Sequence, residues 1–135
     1  MRCFVTEYRV TFSDTDAMGV VYYANYFDWF EIGRTEFFRN LGIPYKEIDA
    51  KGFVIPVTEA YCKYIKPARY DEVLLIETWV KEFKRATIKF EYSITQKVDG
   101  IQLAKGYTVH AFLNKEGKII RIPDYIVESL KRLTD

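Results

Sequence analysis

The sequence predicts an α+β fold, with an antiparallel five-stranded sheet wrapped around one long central helix. Three observations predict it: an early segment with apolar residues at helical spacing, later segments rich in β-forming residues, and short turns between those segments. Strands joined by short turns are antiparallel, and the apolar face of the helix needs a sheet to cover it. With 135 residues, 49% of them hydrophobic, the chain is expected to form a single domain over residues 1–135.

The first predicted elements are a strand over residues 3–12 and a long helix from Tyr23 to Leu41. The apolar residues of this helix recur at helical spacing and form broadly one face. Gly42 suits the left-handed position that ends many helices, and Pro44 prevents continuation. Residues 45–50 predict a short helical turn. The recurring apolar residues are Tyr23, Phe27, Phe30, Phe37 and Leu41.

The rest of the chain is predicted to be mostly β-structure, because it is rich in Val, Ile, Thr, Phe and Tyr. Apolar residues alternate with polar ones from Ile88 to Ile94, which predicts one buried and one wetter face. Asp99-Gly100 signals a two-residue hairpin, and Lys115-Glu116-Gly117 predicts a second turn. A short terminal helix is expected over Tyr125 to Leu133, with Pro123 near its start. The predicted strands span residues 53–65, 72–83, 86–98 and 101–114.

Composition narrows the class of protein. The chain carries 20 basic and 19 acidic residues, so it lacks the basic excess that is typical of nucleic-acid-binding proteins. No apolar run approaches the roughly 20 residues of a membrane-spanning helix, and the N-terminus does not resemble a signal peptide. Cys3 and Cys62 allow one disulfide, but reduced thiols in a cytoplasmic protein are the preferred interpretation. We therefore expect a cytoplasmic protein with no nucleic-acid partner and no integral membrane segment.

The most informative segment is Ser-Asp-Thr-Asp-Ala-Met-Gly-Val-Val-Tyr-Tyr-Ala-Asn-Tyr, residues 13–26. It places the carboxylate of Asp16 shortly before the predicted helix start. A helix start carries unpaired N–H groups and about half a positive charge, so it can stabilise an oxygen that becomes anionic during acyl transfer. A carboxylate close to such a helix start predicts a site in which the carboxylate either attacks a carbonyl group or activates water to attack it. The alternative is that Asp16 is only a turn or capping residue.

The same segment resembles the signature of the hotdog-fold acyl-CoA thioesterases, most closely the 4-hydroxybenzoyl-CoA thioesterase and YbgC-like group. The hotdog fold is the α+β arrangement predicted above. The resemblance covers nearly the whole chain. It continues through Phe30-Glu31, Gly33-Arg34-Thr35-Glu36, Tyr64-x-x-Pro67-Ala68-Arg69-Tyr70-Asp71 and Arg121-Ile122-Pro123.

The resemblance implies roles for three residues of the first motif. Asp16 would be the catalytic carboxylate, acting either as a nucleophile that forms a mixed anhydride or as a general base on water. The backbone N–H of Tyr23 would donate to the thioester carbonyl, and the side chain is not specified by that role. Some related thioesterases carry His at this position. Gly19 would permit a tight backbone at the junction between loop and helix.

The resemblance also implies how coenzyme A is bound. Lys84 and Arg85, in a turn between strands, would bind its phosphate-bearing nucleotide, and Lys118 and Arg121 are further basic candidates. Charged turn residues are also often simply solvated. No metal or redox cofactor is implied, since coenzyme A is part of the substrate. Proteins of this type form homodimers or homotetramers, with the active site at the subunit interface.

Other titratable residues provide alternatives. Asp14 is expected to hold the loop by hydrogen bonds, and would be the catalyst if the motif were misaligned. Glu31 is a reserve catalytic carboxylate, although an ion pair with Arg34 is the preferred interpretation. His110, the single histidine, excludes a multi-histidine metal site and disfavours a Ser-His-Asp triad. We expect it to be packed or hydrogen-bonded.

The predicted function is hydrolysis of an acyl-CoA thioester to a free acid and coenzyme A. One alternative is a non-catalytic acyl-CoA binding or scaffolding module. The other is a hotdog acyl dehydratase or hydratase, an enzyme that commonly combines His with a carboxylate; no matching His motif is visible. The wider motif match favours an aliphatic acyl group, although an aromatic-rich chain would accept an aromatic one as well.

Overall fold

The computed structural model describes residues 2–133. Within that range the chain forms three α-helices and seven β-strands, with a 3-10 turn at Phe12–Asp14. The helices are α1, Asn25–Asn40; α2, Tyr45–Ala50; and α3, Asp124–Lys131. The strands are β1, Phe4–Arg9; β2, Phe53–Val54; β3, Val57–Tyr64; β4, Val73–Phe83; β5, Thr87–Gln96; β6, Gln102–Ala111; and β7, Leu113–Asn114.

The main sheet has five strands in the order β1-β4-β5-β6-β3, and every neighbouring pair is antiparallel. Helix α1 packs on one face of it and supplies the centre of the core. The ring of Phe30 stacks on Tyr92 at 4.2 Å, and Phe37 meets Phe90 edge-on at 5.3 Å. The alternating residues from Ile88 to Ile94 are no more than 1% exposed. The predicted α+β fold is therefore confirmed, and so is the predicted buried face of the strand that contains Ile88 to Ile94, which is β5.

Two predicted strands are each interrupted. The segment 53–65 forms β2 and β3, and the segment 101–114 forms β6 and β7. The breaks occur because β2 and β7 do not join the main sheet; they pair with each other in a small second sheet. Pro56 lies at the first break, where it has no N–H to donate to a ladder. Phe112 lies at the second, fully buried.

The ends of several elements also differ from the prediction. The first strand ends at Arg9, because the chain turns into the 3-10 segment. The regular part of α1 begins at Asn25 rather than Tyr23, although the first turn starts earlier: the Asn25 N–H donates to the carbonyl of Tyr22 at 2.9 Å. The predicted role of Gly42 is confirmed by its φ of +80° just after the helix. The hairpin at Asp99-Gly100 is a longer loop over residues 97–101, not a two-residue turn.

Candidate active site

Asp14 ties the loop before α1 to the rest of the fold. Its Oδ2 accepts hydrogen bonds from the Tyr8 hydroxyl at 2.7 Å and from the Thr11 N–H at 2.9 Å. Its backbone carbonyl accepts from the Tyr22 N–H at 2.9 Å and from Nδ2 of Asn25 at 2.8 Å. Burial and the bond to Asp14 raise the pKa of Tyr8, so that hydroxyl remains a donor. The predicted structural role of Asp14 is confirmed.

Asp16 is held in one orientation while part of its carboxylate stays available. Its Oδ1 accepts a hydrogen bond from the Met18 N–H at 2.8 Å, and the backbone closes around it: the Gly19 N–H donates to its carbonyl at 3.0 Å, and its own N–H donates to the carbonyl of Val20 at 2.9 Å. Gly19 has a φ of +79°, which glycine adopts without strain. Within residues 2–133, Oδ2 of this half-buried Asp16 accepts no hydrogen bond. Asp16 therefore acts as a turn residue through Oδ1, while its Oδ2 stays available.

The start of α1 presents two unpaired amides. In the part of the chain that the structure describes, neither the Tyr23 N–H nor the Ala24 N–H donates to a protein acceptor, and no side chain caps the helix. The loop that carries Asp16 closes onto the segment just before this helix: Thr15 and Val21 form an antiparallel bridge, and the Asp16 N–H donates to the Val20 carbonyl. The sequence predicted one donor here, and the structure adds Ala24 as a second.

The second sequence motif lies against this helix start. The Val21 N–H donates to the carbonyl of Ala68 at 2.9 Å, and the Ala68 N–H donates to the Tyr26 hydroxyl at 3.2 Å. Together the two motifs border a shallow aromatic cavity of about 220 Å³. It is lined by Val21, Tyr23, Tyr26, Tyr64, Ile65, Lys66 and Pro67.

The four basic candidates lie at the other end of the sheet. The turn with Lys84 and Arg85 follows the end of β4, whereas the start of β4 pairs with Arg9 beside the Asp16 loop. The length of β4 separates the two ends by about 33 Å at the usual rise per residue. The Ile122 N–H donates to the Arg85 carbonyl at 2.8 Å, which joins this turn to the segment that contains Arg121. One copy of the chain therefore does not bring these residues to Asp16.

Lys118 and Arg121 belong to the same end. The N–H of Lys118 donates to Oδ1 of Asn114 at 3.0 Å, in the turn that follows β7. Arg121 forms an exposed ion pair with Asp124 at 3.4 Å. The turn at 115–117 is present as predicted, with Gly117 at a φ of +82°. All four basic residues thus lie around one end of the molecule.

A larger cavity of about 270 Å³ lies between α1, α2 and the ends of β5 and β6. Glu31 and Arg34 both line it, yet they form no ion pair within residues 2–133, so the predicted pair is wrong. Arg34 instead lies towards Tyr92 and His110. Burial raises the pKa of Tyr92, and the nearby guanidinium of Arg34 partly offsets that rise. At His110, burial and then the charge of Arg34 both lower the pKa. The cavity is lined by Glu31, Arg34, Thr35, Phe38, Tyr45, Ile55, Pro56, Val57, Phe90 and His110.

His110 is packed and hydrogen-bonded, as predicted. Its Nδ1 lies 3.1 Å from the Ile55 carbonyl oxygen and its Nε2 lies 2.8 Å from Oγ1 of Thr108. A carbonyl only accepts, so Nδ1 carries the proton and Nε2 accepts from Thr108. The Tyr92 hydroxyl, 2.6 Å from the same Oγ1, then donates to it. Burial, followed by the charge of Arg34, lowers the pKa of His110 to about 4.

Two further findings apply to residues 2–133. None of their helices has the length and apolar character that crossing a membrane requires. No group of three or more His, Cys, Asp or Glu side chains in this range is placed to hold a metal ion.

Comparison with known proteins identifies the family. The family model described as Thioesterase-like superfamily matches residues 10–130. The putative acyl-CoA thioesterase YneP of Bacillus subtilis is 33% identical over 82% of this chain and 79% of its own length. The 4-hydroxybenzoyl-CoA thioesterase of Pseudomonas sp. is 28% identical over 93% and 96%, and YbgC of Haemophilus influenzae is 40% identical over 62% of each.

A solved structure confirms the fold. The DHNA-CoA thioesterase of Staphylococcus aureus superposes with a TM-score of 0.93 at 29% identity, over 99% of this chain and 92% of that one. The resemblance to the 4-hydroxybenzoyl-CoA thioesterase and YbgC-like group is thus confirmed. The chain belongs to the thioesterase-like superfamily, has the hotdog fold, and is a thioester hydrolase.

Proposed function

We propose that this protein hydrolyses acyl-CoA thioesters at a site formed by Asp16 and the start of α1. The observation that carries the proposal is the oriented Asp16 carboxylate with Oδ2 available, in a loop that is bridged to Val21 just before the two unpaired amides of Tyr23 and Ala24. A carboxylate can attack a carbonyl carbon or deprotonate water, and the amides can stabilise the resulting oxyanion. The relatives named as acyl-CoA thioesterases support acyl-CoA as the substrate.

Two routes fit this geometry. In the first, Asp16 takes a proton from water as the water oxygen attacks the thioester carbonyl, the C–S bond breaks, and the thiolate of coenzyme A leaves and is protonated. In the second, a carboxylate oxygen of Asp16 attacks, the thiolate leaves, and water opens the mixed anhydride. Each route consumes one water, yields one acid and one coenzyme A, and uses no cofactor.

The proposed active unit is a homodimer, alone or within a tetramer. Within residues 2–133, strand β3 is an edge of the sheet, pairs with β6 alone, and is mostly exposed. An exposed edge can pair with another strand. If the β3 edges of two copies pair antiparallel about a two-fold axis, the basic end of one copy lies towards the Asp16 end of the other. This arrangement would bring together the two halves of the site that one chain keeps apart.

The larger cavity is the proposed acyl pocket in that dimer. It opens at Val57, at the start of β3, and antiparallel pairing would place it near Tyr64, at the end of the other copy's β3. Its wall contains the apolar side chains of Phe38, Ile55 and Phe90, which suit an aliphatic acyl group. A comparison of short, medium and long aliphatic acyl-CoAs with an aromatic one would measure this preference.

Replacing Lys84 and Arg85 by Ala is expected to raise KM for acyl-CoA by about tenfold per residue, because each loses a charge-assisted hydrogen bond to phosphate. The value of kcat should change little. KM for the matching acyl-pantetheine, which lacks the nucleotide, should not change. Lys97→Ala is the matched control, since Lys97 is an exposed lysine in the loop at the opposite end of the sheet. Equal KM increases for both substrates would contradict nucleotide binding by this turn.

The structure gives little support to a dehydratase or hydratase. His110 is 1% exposed, and both of its ring nitrogens are engaged, Nδ1 with the Ile55 carbonyl and Nε2 with Thr108. It therefore cannot act as an acid–base group on a substrate without breaking one of these hydrogen bonds. A cytoplasmic location is part of the proposal, and the free thiols of Cys3 and Cys62 suit a reducing compartment.

The test of the proposed function is release of free thiol from a series of acyl-CoAs by the purified protein. Turnover that saturates with substrate supports the proposal. Binding of acyl-CoA without turnover would contradict it and support the non-catalytic binding module instead. Conversion of an enoyl-CoA to a hydroxyacyl-CoA without thiol release would favour the hydratase.

A further inference from the structure

Tyr64 connects the edge strand β3 to the start of α1. Its hydroxyl donates a hydrogen bond to the backbone carbonyl of Tyr23 at 3.0 Å. Its ring also packs edge-on against Tyr23 and Tyr26, with centroid distances of 6.2 Å and 5.0 Å. Tyr64 remains 43% exposed, so this contact borders the shallow cavity rather than the core.

The accepting carbonyl belongs to the same peptide unit as the Ala24 N–H. A peptide unit is planar and trans, so its C=O and N–H point in opposite directions, and fixing one fixes the other. This carbonyl also accepts from the Tyr26 N–H, at the longer distance of 3.3 Å. The bond from Tyr64 therefore contributes directly to the direction of one of the two unpaired amides.

We propose that Tyr64 is a positioning residue for the oxyanion site, and that it aims the Ala24 N–H at the thioester carbonyl as a second donor beside Tyr23. This inference rests on the proposed function of the site. A hydrogen bond to the carbonyl also polarises the peptide unit and strengthens its N–H as a donor. The aim of the amide would thus depend on β3, the strand that is proposed to meet the second copy.

The hydroxyl of Tyr64 is available as a donor at all pH values used for such assays. Burial, followed by the nearby thiol of Cys62, raises the pKa of Tyr64 to about 12. The positioning bond therefore persists through neutral and moderately alkaline pH.

Tyr64→Phe tests the proposal, because it keeps the ring contacts and removes only the hydroxyl. We expect kcat to fall about tenfold, with KM within about twofold, since weakening an oxyanion donor affects the transition state more than substrate binding. Tyr61→Phe is the matched control on the same strand; its ring stacks on Tyr107, and it is 46% exposed. The control should keep wild-type kcat. An unchanged kcat in Tyr64→Phe would overturn the proposal.

A spectroscopic measurement separates positioning from a merely structural role. An acyl-CoA labelled at the thioester carbonyl is bound to Asp16→Asn, and the infrared carbonyl stretch is compared with that of Asp16→Asn/Tyr64→Phe. We expect the shift to lower frequency on binding to be smaller in the double variant, at equal thermal stability. An identical shift in both proteins would overturn the proposal, even if kcat had fallen. The frequency comparison does not depend on turnover, whereas absence of turnover by the wild type would count against the proposed function.

Discussion

Replacing Asp16 by Asn is expected to lower kcat by about a hundredfold or more, which corresponds to ~2.7 kcal/mol or more of activation free energy. Asn keeps the shape of the side chain, and its oxygen can still accept the hydrogen bond from the Met18 N–H. It lacks the negative charge, so it can neither take a proton from water nor form a mixed anhydride efficiently. Substrate binding and thermal stability should change little.

Asp14→Asn is the control, because it makes the same chemical change two residues earlier. Oδ2 of Asp14 accepts two hydrogen bonds, from Tyr8 and Thr11, so this variant should lose thermal stability while its folded fraction keeps kcat within a few-fold. Steady-state kinetics and thermal unfolding of both variants measure the contrast. Wild-type kcat in Asp16→Asn would refute the assignment and direct attention to Asp14 or Glu31.

A single turnover in isotopically labelled water distinguishes the two routes. If Asp16 is the nucleophile and water attacks the carboxyl carbon of Asp16 in the anhydride, the label enters the protein. If Asp16 is a general base, the label enters only the released acid. Because water can also open an anhydride at the acyl carbon, a label found only in the acid is followed by trapping with a strong amine nucleophile, which captures the anhydride if it forms.

Gly106→Ala is expected to destabilise the fold by about 3 kcal/mol or more. A Cβ at this position would lie 2.1 Å from the backbone oxygen of Tyr61 and 2.8 Å from the ring of Phe30. The backbone oxygen cannot rotate away, because Cys62 is paired with Gly106 in the β3–β6 ladder. Relief would require β3 and β6 to separate, or α1 to move off the sheet.

Urea unfolding measures this effect, with Gly100→Ala as the control. Gly100 has a φ of +73°, but a Cβ added there would meet no atom within 4 Å, so its variant should lose only about 1 kcal/mol through backbone strain. The two variants make the same chemical change in a ladder and in a loop. A Gly106→Ala midpoint equal to that of Gly100→Ala would show that the sheet accommodates the added methyl group.

Much of the fold was predictable because its signals are local. The alternation from Ile88 to Ile94 depends only on which side chains face the core, and the end of α1 follows from Gly42 and Pro44. The breaks at Pro56 and Phe112 were missed because composition remains β-like across them. At these breaks the chain changes the strand with which it pairs, and that partner depends on the arrangement of the whole sheet.

The residues of the candidate site were likewise predictable where they are close in sequence and missed where they are distant. Asp16, Gly19 and Tyr23 are close in sequence, so one motif was enough to place them together. The bond between Tyr64 and Tyr23 joins positions 41 residues apart and has no local signal. The direction of Arg34 was missed because helical spacing brings Glu31 near it but does not reveal the buried network towards which it turns.

The central claim is that two copies of the chain build each thioesterase site, and mixing two impaired variants tests it most directly. Asp16→Asn and the double variant Lys84→Ala/Arg85→Ala are each produced alone, and they are also coexpressed so that mixed dimers form. For all three preparations, kcat/KM is measured at low acyl-CoA concentration. In a heterodimer, one site would combine an intact Asp16 with an intact Lys84–Arg85 turn. With random pairing in a two-fold dimer, the mixture should recover roughly a quarter of wild-type kcat/KM. A value no higher than the mean of the two parents would show that each chain carries a complete site.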